Sequence, residues 1–212
     1  MTTVTPKLFL YSMSFNKHQA ESLTKLVGKK AKDISFAVIE NAADVEPGSE
    51  TWLDGFREML LANGYHIEQL DLRKWTNNHD GLYEKLASKD VIWIGGGNTY
   101  YLRWILKETG ADGIIQTLVG KGRVYAGWSA GALVAGPTIA FIDEMEPRKV
   151  APEIILNGLN LFDTVVIPHI DNREFAVAAV KTKDQYQLAG YNTVTLADNQ
   201  VLVVNGNKQQ VI

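Results

Sequence analysis

Residues 123–137 read RVYAGWSAGALVAGP, and the parsing of this stretch decides the fold. RVYA is short and mostly apolar, with a glycine on each side, which is the pattern of a buried strand. The residues after it suit a helix that begins near Ala130. Gly127-Trp128-Ser129-Ala130-Gly131 must then be a sharp strand-to-helix turn with Ser129 at its apex. The backbone passes close to itself in such a turn, so the flanking positions have to be small. Gly127, Ala130, Gly131 and Ala132 meet that demand. The apex hydroxyl is held in one direction, and the helix start aims amide hydrogens at negative charge developing on it. The plain alternative is a serine that caps a helix in a tight turn.

Outward from this unit the same alternation repeats. KLFLY (7–11), ISFAVI (34–39), HIEQLD (66–71), DVIWI (90–94), RVYA (123–126) and TVVI (164–167) read as strands bounded by turn or cap residues. Helices are predicted over 17–27, 51–62, 80–87, 99–108 and 175–188, with Asn63-Gly64 and Gly110 as stop signals. The tail, 193–197, 201–204 and 209–212, reads as a short antiparallel set with turns at Asp198-Asn199 and Asn205-Gly206. Strand–helix alternation over most of the chain predicts an α/β fold, a mostly parallel sheet with helices on both faces. Such sheets carry their sites at the carboxyl ends of the strands.

The 212 residues are 46% hydrophobic and 21% charged, which suits one domain over 1–212 with a substantial core. A net charge of −3 points to no nucleic-acid or anionic-membrane partner. The chain has no cysteine, so disulfides, thiolate metal sites and a cysteine nucleophile are excluded. MTTVTPKLFLYSMSF has one lysine and a short apolar run, unlike a signal peptide, and no apolar stretch reaches bilayer length. A cytoplasmic location is the expectation.

A second strand end stands out in DVIWIGGGNTYYL, residues 90–102. Its three glycines fit neither a dinucleotide fingerprint, because Tyr100 occupies the sixth position, nor a P-loop, because Asn98-Thr99 replaces the Lys-Ser/Thr pair. What remains is backbone free of side chains, whose amides can stabilise an oxyanion together with that of Ala130 at about 3 kcal/mol per donor. A turn that merely needs positive φ would be satisfied by one glycine.

A serine nucleophile needs a base within hydrogen-bond reach. Of the four histidines, His18, His66 and His79 lie in polar surface contexts, whereas His169 follows TVVI and Pro168 at a strand end. The acid that orients it is best sought at Asp198, where an apolar run meets a turn; Asp171 is too near in sequence and Asp184 lies on a helical polar face. The order Ser, His, Asp differs from the α/β-hydrolase order, which would require Asp143 or Asp163 and stays open on spacing alone.

GGGNTYYL, GWSAGALVAGPTI and the Pro-His after a strand resemble the dipeptidase E and cyanophycinase family of serine peptidases, over nearly the whole chain. The resemblance implies a class I glutamine amidotransferase-like, flavodoxin-like sheet ending in a short antiparallel hairpin, with serine in place of that fold's cysteine. It implies Ser129 as nucleophile, His169 as base and Asp198 as acid, where relatives often have glutamate. Oxyanion donors would be Gly96 or Gly97 together with Ala130. Asn98, Thr99 and Arg173 would meet substrate, Arg173 matching an arginine that follows the family's Pro-His segment, although that segment is compressed here. The implied activity is cleavage of small peptides, including dipeptides with an N-terminal aspartate, without metal or organic cofactor. Two alternatives accompany it: hydrolysis of another small amide or ester, and a binding or regulatory member without catalysis. The only partner required is the small peptide. A homodimer contact through aromatic residues such as Trp52 or Trp75 competes with their packing into the core.

Overall fold

In the computed structural model, residues 6–212 are described, and the first five residues of the N-terminal stretch read above lie outside them. The elements run β1 (Lys7–Tyr11), α1 (Lys17–Val27), β2 (Ser35–Ile39), α2 (Glu50–Ala62), β3 (His66–Gln69), α3 (His79–Ala87), β4 (Val91–Ile94) and α4 (Thr99–Glu108). They continue α5 (Ala111–Gly120), β5 (Val124–Trp128), α6 (Ala130–Leu133), β6 (Val165–Ile167), α7 (Ala176–Leu188), β7 (Thr193–Thr195), β8 (Val201–Asn205) and β9 (Lys208–Val211).

The main sheet has the order β3-β2-β4-β5-β1-β8-β9. Its first five strands are parallel, while β8 runs antiparallel to β1 and β9 antiparallel to β8. The expected fold class holds, including the C-terminal hairpin. Period-two alternation divides each central strand between two cores. Leu8 and Leu10, Ala37 and Ile39, Ile92 and Ile94, and Tyr125 pack in one cluster, with residues of α3, α4 and α5. Phe9 and Tyr11, Phe36 and Val38, Val91 and Trp93, and Val124 and Ala126 pack in the other, with residues of α1 and α2. Strands buried on both faces must be apolar at nearly every position, which is why they read as continuous hydrophobic runs.

Local chemistry sets the boundaries. Asn16 and Gln19 close a capping box at the start of α1, and Gly28 ends it at φ 82°. Gly64, at φ 83°, turns the chain after α2. Two sequence expectations are corrected. Residues 111–120 form α5, a helix not foreseen, because Ile115, Leu118 and Val119 look like the end of a loop until Gly110 is seen to start a new helix rather than only close α4. The run at 193–197 does not join the antiparallel tail: β7 pairs in parallel with β6 in a separate two-stranded sheet. An apolar run of three residues carries no information on which strand it will pair with. No helix among the described residues is long and apolar enough to cross a membrane.

Candidate active site

β4, β5 and β1 end at the same edge of the sheet, with Tyr11 level with Trp128 and Ile94 level with Gly127. Ser129 follows β5 directly, at φ 49° and ψ −105°. That conformation is rare for a residue with a side chain and stores about 1–3 kcal/mol of strain. Its surroundings over-determine it. The Ser129 amide donates to Tyr11 O at 3.0 Å, and its carbonyl accepts from Ala132 and Leu133 at 2.9 and 3.0 Å. A Cβ on Gly127 would lie 2.3 Å from Gly131 O, and one on Gly131 would lie 2.2 Å from Ile94 O. The small flanking residues are therefore a steric requirement. Trp128 wedges the other side, stacked on Phe56 at 5.3 Å and edge-on to Trp52 at 5.0 Å.

His169 lies beyond β6, with its backbone in the left-handed region at φ 65°. Leu196 N–H donates to Ile167 O and Ile170 N–H donates to Leu196 O, so the β6–β7 pairing carries the histidine. The side chain is 7% exposed. Its Nε2 lies 2.9 Å from Ser129 Oγ. Its Nδ1 lies 2.7 Å from Asp198 Oδ1. A carboxylate against Nδ1 favours the proton there, which leaves the Nε2 lone pair facing the serine hydroxyl. Burial pushes the Asp198 carboxyl up, but the hydrogen bonds from His169 and Asn172 outweigh it and hold it below its ordinary range. The acids of the hydrolase order lie elsewhere: Asp143 is tied to Arg148, and Asp163 is exposed.

The glycine turn after β4 lies against Ser129, since a Cβ on Gly96 would sit 3.3 Å from Ser129 Cβ. Gly97 has φ 129°, and a Cβ there would meet Ala42 O at 2.2 Å. The amides of Gly96, Gly97 and Ala130 have no hydrogen-bond acceptor among the described residues. Asn98 and Thr99 are buried and already engaged. Asn98 Oδ1 caps α4 through Tyr101 N at 2.9 Å, and its Nδ2 donates to Pro147 O at 3.1 Å. Thr99 gives both its amide and its hydroxyl to the Glu146 carboxylate. Arg173 is exposed and makes no ion pair among the described residues. His18, His66 and His79 are exposed. Trp52 and Trp75 are part-buried against the core rather than free on the surface.

A model of peptidase family S51 matches residues 8–212. The chain belongs to peptidase family S51. Among its relatives is the uncharacterized peptidase PM1590 of Pasteurella multocida, 33% identical over 83% of this chain and 86% of that one. A protein named peptidase E from a Nostoc strain is 27% identical over 78% of this chain and 63% of its own length. A crystal structure from Listeria monocytogenes, whose chain carries a provisional peptidase E name, superposes with a TM-score of 0.84 at 27% identity, covering 98% of both chains. The S51 protein described here is thus a peptidase on the peptidase E fold.

Two residues at this site escaped the sequence reading. Ser12, fully buried just beyond β1, touches both His169 and Asp198. Asn172 donates to Asp198 Oδ2 at 2.6 Å. Asp171, set aside as the acid, instead accepts the Asp198 amide at 2.8 Å through Oδ1. The one usable signal was position: Ser12 ends a strand at the sheet's carboxyl edge.

Proposed function

We propose that this protein is a serine peptidase acting on small peptides through Ser129, His169 and Asp198. The observation that carries the reading is the unbroken chain of contacts Ser129 Oγ, His169 Nε2, His169 Nδ1, Asp198 Oδ1, at 2.9 and 2.7 Å. Ser129 Oγ attacks the scissile carbonyl as its proton passes to His169 Nε2. The oxyanion is received by the unengaged amides of Gly96 or Gly97 and Ala130. His169 then gives the proton to the departing amine, and water releases the acyl group by the same route in reverse. Asp198, kept ionised, balances the charge on the ring. The steps use no metal or organic cofactor.

The finer proposal is preference for an N-terminal aspartate, with the exposed Arg173 as the cation that meets its carboxylate. Asn98 and Thr99 frame the site from the start of α4, just after the glycine turn. A cytoplasmic location and independence of nucleic acid and membrane complete the proposal, supported by the cysteine-free composition and the modest net charge of −3.

The test is fluorophosphonate labelling of wild type and Ser129→Ala, followed by a panel of Asp-X dipeptides, β-aspartyl dipeptides and simple esters. Labelling lost in the variant, with cleavage of dipeptides by wild type, supports the reading. Equal labelling of both removes Ser129 as nucleophile, and turnover of esters alone moves the substrate class.

A further inference from the structure

We infer that Ser12 is a positioning residue for the catalytic pair His169–Asp198, a fourth member of the machinery; this rests on the triad reading above. β1 and β5 are parallel neighbours with Tyr11 level with Trp128, so the residue after Tyr11 emerges beside the nucleophile. Ser12 is completely buried there. A buried hydroxyl must find partners, and this one finds them only in the two residues that activate the serine. Its Oγ accepts the His169 amide hydrogen at 2.8 Å. The same oxygen lies 3.2 Å from Asp198 Oδ1, to which it donates its single proton. It is also 3.2 Å from His169 Nδ1, whose hydrogen is drawn to the closer Asp198 at 2.7 Å.

This arrangement holds both partners of the His169–Asp198 hydrogen bond. His169 has a left-handed backbone, so its peptide needs an acceptor that specifies that geometry. Ser12 Oγ is that acceptor. The carboxylate is fixed at Oδ1 by Ser12 and His169 and at Oδ2 by Asn172. The main chain repeats the link, because Asp198 O accepts from Met13 and Ser14 at 3.1 and 2.8 Å. The segment after β1 therefore locates base and acid together against the elbow after β5. A serine that merely satisfied a turn would bond to its own neighbours in sequence, and the partners of Ser12 are 157 and 186 residues away.

Ser12→Ala removes one oxygen from a buried site. It should slow fluorophosphonate labelling of Ser129 and lower kcat by about ten- to a hundredfold, the range for a small misplacement of reacting groups, while KM stays within about twofold. The proton resonance of His169 Nδ1, bonded to Asp198, should shift or broaden. Ser12→Cys, with a weak donor and acceptor of similar size, should fall between alanine and wild type, and it carries the test if the alanine variant does not fold. Labelling rate, kcat and the Nδ1 resonance all unchanged in these variants, with His169→Ala inactive, would overturn the role of Ser12 and leave the triad standing. Wild type that fails to label at Ser129 would overturn the triad itself, and with it this inference.

Discussion

At Ser129 the local rules of backbone preference are broken in order to present one oxygen. The left-handed φ of 49° is held by hydrogen bonds on both sides of the residue and by neighbours too close for a Cβ. His169 shows the same logic at φ 65°. Two residues in sparsely populated conformations, 2.9 Å apart through their functional atoms, are what a pre-organised site looks like. Asp198 is the residue to probe in the proposed triad. In Asp198→Asn the amide can present its NH₂ to His169 Nδ1, which favours the wrong tautomer and puts a proton on Nε2. A loss of about 10⁴-fold in kcat is the expected outcome, measured by steady-state kinetics on the best dipeptide. The sign of the Asp198 linkage follows from its lowered value: its contribution to stability is present above the unfolded carboxyl range and is lost as pH falls through the folded value.

Among the elements, α4 and the segment that follows α6 are joined by a carboxylate. Glu146 receives the Thr99 amide and hydroxyl at the first turn of α4, next to the glycine turn. The side chain as a whole is half-buried, while its carboxyl end is enclosed, and that burial pushes its pKa up to about 7, against the hydrogen bonds from Thr99 that lower it. A raised carboxyl binds its proton more tightly when folded, so this group's contribution weakens as pH rises from about 4.5 to about 7. Glu146→Gln keeps an acceptor for the Thr99 amide and has nothing to ionise. It should be more stable than wild type at pH 8, with the difference shrinking towards pH 5, as read from urea unfolding at the two values. The same contacts engage the side chains of Asn98 and Thr99, which the sequence offered as substrate ligands. They sit at the right strand end, but the groups that occupy them, the Glu146 carboxylate and the Pro147 carbonyl, come from 47 and 49 residues away.

For the whole molecule, the sheet and the helical layer that contains α2 converge on the elbow through an aromatic stack. Phe56 of α2 lies 4.1 Å from Trp93 and 5.3 Å from Trp128, ring centre to ring centre, and Trp93 Nε1 donates to the buried Tyr11 hydroxyl at 2.9 Å. β1, β4, β5 and α2 are thereby clamped behind Ser129. Phe56→Ala should cost about 3–5 kcal/mol of folding stability, from lost burial and the cavity left behind, seen as a lower denaturant midpoint. Serine labelling should fall with it at temperatures where the wild type is still folded.

Much of this was legible in the residues taken in order. Apolar runs of strand length, the glycines around Ser129 and the Pro-His after a strand are consequences of local sterics and burial, which act between near neighbours in the chain; they indicated the parallel sheet, the elbow, Ser129 and His169, whereas spacing alone left the acid open between Asp198 and the hydrolase-order carboxylates. The pairing of β7 with β6, the separate helix α5 and the engagement of Ser12, Asn172 and Glu146 depend on contacts between distant segments. A short strand pairs with whichever edge the fold brings to it, and a buried hydroxyl or carboxylate reveals its partner only when the chain has closed around it. The tertiary structure alone therefore decided how His169 and Asp198 are held, because Ser12 is 157 and 186 residues away from them in sequence.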